Sequence, residues 1–186
     1  KAIVVTDYAG HPADWEDFYY LKKKYKVQLI NDNCHAIGSK LNNKLNYATN
    51  YADLVTMSFH PVKNITTGEG GAIFLNNEKL YKKAKLLRSH SIDRDNYLKN
   101  KKGMWHYDIK DLGFNYRLTE FQSALGISQL DKLEKFIKRR NQIAKIYDEG
   151  FREEENITIP EKNLNIRHSY HLYPLLVNFE KIKKSK

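Results

Sequence analysis

Residues 57–75 read MSFHPVKNITTGEGGAIFL and place one lysine, Lys63, between two apolar runs. The runs at 54–57 and 72–75 have the length and composition of β-strands, so Lys63 is expected on a connection at a strand end. Such connections surround the ligand crevice of an open α/β sheet and often carry function. The glycine-rich run at 68–71 lets the backbone turn sharply and approach a ligand closely. The stretch therefore predicts an α/β fold with a functional lysine at a strand end.

A lysine in a closed pocket can lose its proton and attack a carbonyl, and pyridoxal phosphate is the commonest cofactor bound in this way. The chain has 32 lysine and arginine residues, and a solvated surface side chain is the default interpretation of any one of them. Lys63 differs in its neighbours. Ser58, five residues earlier, can bind a phosphate through its hydroxyl, and the glycine-rich run follows. Lys63 is therefore the candidate for Schiff-base chemistry.

An acidic residue, Asp32, follows a short apolar strand predicted at 27–30. A carboxylate suits a pyridoxal site at this place, because pairing with the pyridine nitrogen keeps the ring protonated and able to accept electrons. His35, three residues later, can hydrogen-bond to the ring hydroxyl. The Asp-x-x-His spacing alone is more often explained by a turn aspartate beside a structural histidine.

Three segments, in this order, carry a resemblance to a known family: DNCHAIGS at 32–39, SFHPVK and TGEGG between 58 and 71, and GFNYRLTEFQSALG at 113–126. They resemble the DegT/DnrJ/EryC1/StrS family of pyridoxal-phosphate-dependent aminotransferases, which act on nucleotide-linked keto sugars. The resemblance implies an α/β chain with the type I aminotransferase fold. It assigns residues 1–153 to part of the large cofactor-binding domain, a mixed sheet with flanking helices, and residues 154–186 to the start of the small C-terminal domain.

Two shorter segments, SFH at 58–60 and SYHLYP at 169–174, are similar to one branch of the family, the UDP-4-amino-4,6-dideoxy-AltNAc transaminases of the pseudaminic acid pathway. This similarity implies transfer of an amino group from glutamate to C4 of a nucleotide-linked 4-keto-6-deoxy sugar. The product would serve bacterial surface-glycan biosynthesis. Lys63 argues against the dehydratase-like members of the family, which carry histidine in its place.

The resemblance also assigns roles to individual residues. Lys63 is the catalytic lysine, and the residues implied to bind the cofactor with it are Asp32, His35, Ser58 and Asn115. Asn115 would reach the cofactor of a neighbouring subunit, which implies a homodimer with shared active sites. From the residues alone, a turn role after Gly113 explains Asn115 about as well. Candidate substrate contacts are His60, Glu69, Arg117 and His171, although a salt bridge is the simpler interpretation of Arg117.

Two other functions stay open from the sequence: a pyridoxal-phosphate protein of the same fold with a regulatory role, and a basic nucleic-acid-binding module. The net charge is +10, from 32 basic and 22 acidic residues. The basic runs are scattered and mostly have acidic neighbours, which is typical of solvated faces. A nucleic-acid partner is therefore not expected.

The composition, with 41% hydrophobic residues among 186, predicts one globular domain with a sizeable core. The single cysteine, Cys34, excludes an intramolecular disulfide and fits a reducing compartment such as the cytoplasm. No apolar run reaches the ~18 residues of a membrane helix, so no membrane partner is expected. The chain starts inside a predicted strand without an initiator methionine and lacks the family's preceding phosphate loop. We therefore expect a fragment of a longer enzyme, with the small domain cut short.

The remaining patterns predict the order of elements. A strand, a helix and a second strand at the start form a βαβ unit with parallel strands. An apolar stripe that includes Phe121, Leu125 and Leu133 is expected to lie in the core. Strands are predicted at 2–6, 27–30, 53–58, 72–75 and 170–179, and helices at 13–25, 78–89 and 118–136 with a continuation to 151. Loops are predicted at 39–52, with a small hairpin as an alternative there, and at 90–108.

Overall fold

The computed structural model describes residues 1–93 and 107–184, so the middle of the loop predicted at 90–108, with Trp105, lies outside the described residues. The chain divides into two units, Lys1–Phe74 with Phe121–Lys186, and Leu75–Glu120. The strands are β1 (Ala2–Thr6), β2 (Gln28–Asp32), β3 (Lys40–Leu41), β4 (Leu54–Ser58), β5 (Gly71–Leu75), β6 (Ile92–Asp93), β7 (Asp108–Ile109), β8 (Ile157–Thr158), β9 (Ile166–Arg167) and β10 (Leu176–Val177). The α-helices are α1 (Trp15–Tyr25), α2 (Tyr47–Tyr51), α3 (Glu78–Arg88), α4 (Glu120–Leu130) and α5 (Leu133–Phe151).

The main sheet of the first unit has the strand order β1-β2-β4-β5. Strands β1 and β2 pair in parallel, as do β2 and β4, so the predicted parallel βαβ start is confirmed. Thr6, Asp32 and Thr56 lie side by side in the register of these strands. The carboxyl ends of three strands therefore meet at one edge, and Asp32 is placed there.

The core packs α1 and α2 against this sheet. Val5, Leu29 and Val55 point into it from the three parallel strands, and Trp15 of α1 is 1% exposed. Burying a side chain of this size stabilises the fold by about 1.5–3 kcal/mol. The ring of Trp15 stacks on Tyr51 of α2, with ring centroids 6.3 Å apart. These contacts hold α1 and α2 in place against the sheet.

The structure corrects three of the predicted elements. Residues 39–52 are not only a loop. Leu41 and Lys44 form a tight antiparallel bridge, as the hairpin alternative predicted, and the buried Tyr47 holds the short helix α2 in the core with α1. The long helix predicted from 118 ends at Leu130, and α5 begins at Leu133 after a turn. Of the strand predicted at 170–179, only Leu176–Val177 is a paired strand, and Tyr170 at its predicted start has a left-handed backbone with φ 46°.

The apolar stripe of α4 is exposed rather than part of the core. Phe121 is 89% exposed and Ile127 is 64% exposed. Gly126, which is buried, lies instead where the helix passes Thr67 of the Lys63 connection. Leu133 of the predicted stripe does pack inward, beside Gly38. Periodicity thus identified an apolar face correctly but not what it contacts.

The second unit contains α3 and the antiparallel pair of β6 and β7. Asn77 caps the N-terminus of α3, since its side-chain oxygen accepts a hydrogen bond of 3.0 Å from the Leu80 amide. The predicted helix and its cap are therefore confirmed. Among the described residues, no helix is both long enough and apolar enough to cross a membrane.

Candidate active site

Lys63 lies on the connection between β4 and β5 and is half-buried. Its neighbours fix this connection. The Asn64 side chain donates to the Ile37 carbonyl at 3.1 Å, and Ile65 is 2% exposed. The Thr67 amide donates to the Phe59 carbonyl at 3.0 Å. The backbone around Lys63 is therefore held in place by contacts that do not use the lysine side chain.

The glycine-rich run is needed for this conformation. Gly68 and Gly70 have φ of +80° and +156°, a region that disfavours other residues. A side chain at Gly71 would place its Cβ 2.6 Å from the Met57 carbonyl oxygen of β4. The turn can therefore close against the strand only with glycine at these positions.

Asp32 ends β2, and its Oδ1 accepts a hydrogen bond of 3.1 Å from the Cys34 amide. This bond fixes the direction of the carboxylate. Cys34 is half-buried, and burial together with the adjacent Asp32 carboxylate raises the pKa of its thiol to about 11. The thiol therefore stays protonated at neutral pH and is a poor nucleophile.

A buried carboxylate supports this strand end. Asp7, which follows β1, is fully buried and accepts hydrogen bonds from Trp15 Nε1 at 2.9 Å, Asn33 Nδ2 at 2.8 Å and the Tyr47 hydroxyl at 2.8 Å. The Asp7 amide also donates to the Asp32 carbonyl at 3.1 Å. Asp7 therefore ties β1, the turn after Asp32 and α2 together. The sequence analysis missed it, because its partners lie up to 40 residues away.

We expect Asp7→Ala to lower the free energy of unfolding of the full-length protein by about 3–5 kcal/mol, because several buried donors lose their acceptor at once. Urea denaturation followed by tryptophan fluorescence measures the change. Asp14→Ala is the matched control, since Asp14 is exposed at the start of α1 and makes no side-chain capping bond there. A loss below about 1 kcal/mol for Asp7→Ala would contradict this role.

His35 follows Asp32 by three residues, and the connection that carries Lys63 is tied to the same segment by the hydrogen bond from Asn64 to the Ile37 carbonyl. Burial and the Lys63 ammonium lower the pKa of His35 below its ordinary value, and Asp32 opposes them. The ring of His171 lies against it, with centroids 4.4 Å apart. Burial, His35, Lys63 and Arg140 lower the pKa of His171 to about 4. The structure thus brings together four predicted site residues, Lys63, Asp32, His35 and His171.

A segment near the C-terminus, 168–172, brings His171 to this site. The Ser169 hydroxyl donates to the His35 carbonyl at 3.1 Å, and the Leu172 amide donates to the Ala9 carbonyl at 3.2 Å. Arg140 of α5 donates through Nη1 to the Tyr170 carbonyl at 2.9 Å. Sequence reasoning did not find Arg140, since nothing in the local pattern connects α5 to residues 30 positions later.

The other predicted contacts are placed as follows. Ser58 ends β4 and its hydroxyl accepts from the His60 amide at 3.4 Å. His60 Nε2 and Glu69 Oε1 are 3.8 Å apart, and both side chains are largely exposed. Asn115 and Arg117 belong to the second unit and are exposed, and Asn115 forms an isolated antiparallel bridge with Ser89. The proposed roles of all these residues stay predictions.

The family model of the DegT/DnrJ/EryC1/StrS aminotransferase family matches residues 1–186, the whole chain. The chain belongs to this family. The structure of Helicobacter pylori PseC, an aminotransferase involved in the biosynthesis of pseudoaminic acid, is similar to this chain, with a TM-score of 0.85 at 38% sequence identity. The match covers 98% of this chain and 47% of PseC. The fold is therefore that of the type I aminotransferases, as predicted.

Other relatives of the family are similar over the same range. UDP-4-amino-4,6-dideoxy-N-acetyl-beta-L-altrosamine transaminase of Campylobacter jejuni is 44% identical over 177 residues, which are 95% of this chain and 44% of that protein. The PLP-form of a putative sugar aminotransferase, Spr1654 of Streptococcus pneumoniae, has a TM-score of 0.81 at 28% identity, over 95% of this chain and 48% of that one. The chain spans about half the length of the curated relatives it matches.

The residues present fit the cofactor of this family. The side chains gathered here are one amine, one carboxylate and two imidazoles. One of their buried polar atoms, His171 Nδ1, has no hydrogen-bond partner among the described residues. An amine, a strand-end carboxylate and a neighbouring imidazole are the groups that a pyridoxal ring needs.

Proposed function

We propose that the full-length protein is a pyridoxal-phosphate-dependent aminotransferase that acts on a nucleotide-linked 4-keto-6-deoxy sugar, with glutamate as the amino donor. The observation that carries the proposal is the 3.1 Å hydrogen bond from Asn64, which follows Lys63, to the Ile37 carbonyl of the segment that begins at Asp32, in a chain of this family. The effect of the Lys63 and Asp32 charges on the pKa of His35 supports it. The similarity to the Campylobacter jejuni transaminase supports amination at C4 of a UDP-linked sugar in bacterial surface-glycan biosynthesis. The single cysteine supports a cytoplasmic enzyme.

Each residue has one task in this proposal. Lys63 would hold the cofactor covalently, Asp32 would pair with its ring nitrogen, His35 would bind its ring hydroxyl, and Ser58 would bind its phosphate. When bound, the cofactor supplies an electron-accepting ring that stabilises negative charge on the carbon next to the amine. His60, Glu69, Arg117 and His171 stay candidates for the sugar nucleotide.

Lys63 is then the residue that moves the proton. Once the amino donor has taken its place on the cofactor, the freed Nζ would remove the proton from the substrate carbon and would give it back later in the transfer, as a positioned general base and acid does. Lys63 is half-buried, so its side chain is partly shielded from solvent. Asp32, fixed by the Cys34 amide, keeps its charge directed at one place during the transfer.

The function is tested by supplying the full-length protein with glutamate and one keto sugar at a time, and by following the formation of 2-oxoglutarate. We expect the UDP-linked 4-keto-6-deoxy-N-acetylhexosamine to give the fastest turnover. Preference for a dTDP- or GDP-linked sugar would agree with the proposed amino transfer but contradict the UDP-linked substrate and the branch of the family that implies it. A protein that binds pyridoxal phosphate and turns over none of these sugars would support a regulatory role instead.

We also propose a homodimer in which Asn115 serves the partner's site. A Lys63→Ala protomer combined with an Asn115→Ala protomer then has one site with both changes and one site with neither. Random 1:1 pairing of the two inactive variants, by co-expression with different tags, should restore about a quarter of wild-type activity. Purified heterodimers without any recovered activity would return Asn115 to a structural turn role.

A further inference from the structure

The ring of His35 is enclosed by two segments that are far apart in sequence. On one side, the Ala9 amide donates to His35 Nδ1 at 3.3 Å. On another side, the His171 ring lies 4.4 Å away, centroid to centroid, at an interplanar angle of 43°. The Tyr8 ring is also near, at 5.8 Å. The environment of His35 is therefore defined by the turn at Tyr8 and Ala9 together with the ring of His171.

The hydrogen bond from Ala9 decides where the His35 proton is. An amide N–H can donate only to a ring nitrogen that carries no proton of its own. Nδ1 is thus the unprotonated nitrogen, and the proton of the neutral ring is on Nε2. An imidazolium at His35 would need a proton on Nδ1 and would break this bond.

The charges that act on His35 are mixed, because the Lys63 ammonium disfavours its protonation and the Asp32 carboxylate favours it. The groups that act on the two rings are the Asp32 carboxylate, the Lys63 ammonium and, for His171, the Arg140 guanidinium. If either histidine were charged, its ring would lie 4.4 Å from the ring of the other. The Lys63 ammonium acts on both rings. Like charges at such distances disfavour protonation, and burial acts in the same direction.

The segment that carries His171 is fixed to the same turn that binds His35. The Leu172 amide donates to the Ala9 carbonyl at 3.2 Å, while the Ala9 amide donates to His35. Arg140 Nη1 also reaches the His171 carbonyl, at 3.4 Å. These backbone contacts therefore hold the His171 segment and the Ala9 turn together, and they set the position of the His171 ring beside His35.

We propose that His171 is a positioning residue, which encloses the His35 ring against the Ala9 turn and keeps it as a neutral imidazole with its proton on Nε2. His35 then acts as a fixed hydrogen-bond donor and does not exchange protons during the reaction. The identity of the acceptor, the ring hydroxyl oxygen of the cofactor, rests on the proposed function. The protonation state of His35 does not, because it follows from contacts within the chain.

The test is nitrogen NMR of the full-length protein labelled with ¹⁵N-histidine, titrated without cofactor or substrate, with signals assigned from His35→Gln and His171→Phe. In the wild type we expect His35 to carry its proton on Nε2 and to titrate below its ordinary pKa of 6.5. In His171→Ala, the His35 ring is no longer held against the Ala9 amide and water reaches it, so its titration should move up toward 6.5 and both ring nitrogens should share the proton. In His171→Phe, which keeps an aromatic ring at the same place, His35 should stay neutral with its proton on Nε2.

Three results would overturn the inference. The first is a wild-type His35 with its proton on Nδ1, or one that titrates at 6.5 or above, and this result needs no variant. The second is an unchanged His35 in a folded His171→Ala protein. The third is an equal rise in His171→Phe and His171→Ala, because enclosure by an aromatic ring would then not be the cause. Since no reading uses cofactor or turnover, failure of the aminotransferase proposal would leave this result unaffected.

Discussion

Replacing Lys63 with alanine should abolish amino transfer by the full-length protein and leave its fold intact. The change removes both the covalent attachment of the cofactor and the group that moves the proton, and positioned acid–base groups alone contribute about 10²–10⁴-fold. We therefore expect turnover to fall by at least about 10³-fold. The fold should survive because Asn64, Ile65 and Thr67 hold the connection.

Turnover measured from 2-oxoglutarate formation, with circular dichroism on the same samples, separates the two effects. Lys82→Ala is the matched control, since Lys82 is 70% exposed and pairs only at the surface with Glu78. The control should retain wild-type turnover. A Lys63→Ala protein that still turns over within tenfold of wild type would overturn the assignment.

Replacing Asp32 with asparagine should give the second largest loss. The side-chain oxygen of asparagine can still accept the Cys34 amide, so the turn is kept while the negative charge is lost. Removing one preorganised electrostatic partner typically costs about 10²–10³-fold in turnover. Urea denaturation should show little change in stability beside that loss.

The control for Asp32→Asn is Asp17→Asn, at an exposed position in the first turn of α1. It removes a charge of the same sign outside the site and should leave turnover unchanged. If Asp32→Asn keeps turnover within a few-fold of wild type, Asp32 is a turn residue without a role at the ring nitrogen.

The strands of the sheet were predictable because each of them contains a short run of apolar residues, although β2 contributes only Leu29 and Ile30 to such a run. Helix α2 was not predictable in this way. It has five residues and no side-chain N-cap bond, and it is held by the buried Tyr47 through Asp7, 40 positions earlier. Tertiary contacts, rather than local propensity, make it helical.

The candidate site was likewise predictable only where its residues lie in local motifs. Lys63, Asp32 and His35 lie in short motifs at strand ends, where residue type and spacing indicate the chemistry. Arg140 and the enclosure of His35 by His171 depend on contacts across 30 and more than 130 positions. For α4, the spacing of apolar residues correctly predicts an apolar face but not its burial, since Phe121 is 89% exposed in the structure.

The central claim is that Lys63 binds pyridoxal phosphate covalently. The most direct measurement is reduction of the cofactor-loaded full-length protein with borohydride, followed by proteolysis and mass spectrometry of the peptides. We expect one phosphopyridoxyl group, on the peptide that contains Lys63, and none on the corresponding peptide of the Lys63→Ala protein. A phosphopyridoxyl group on a different lysine, or no labelled peptide from a protein that binds the cofactor, would contradict it.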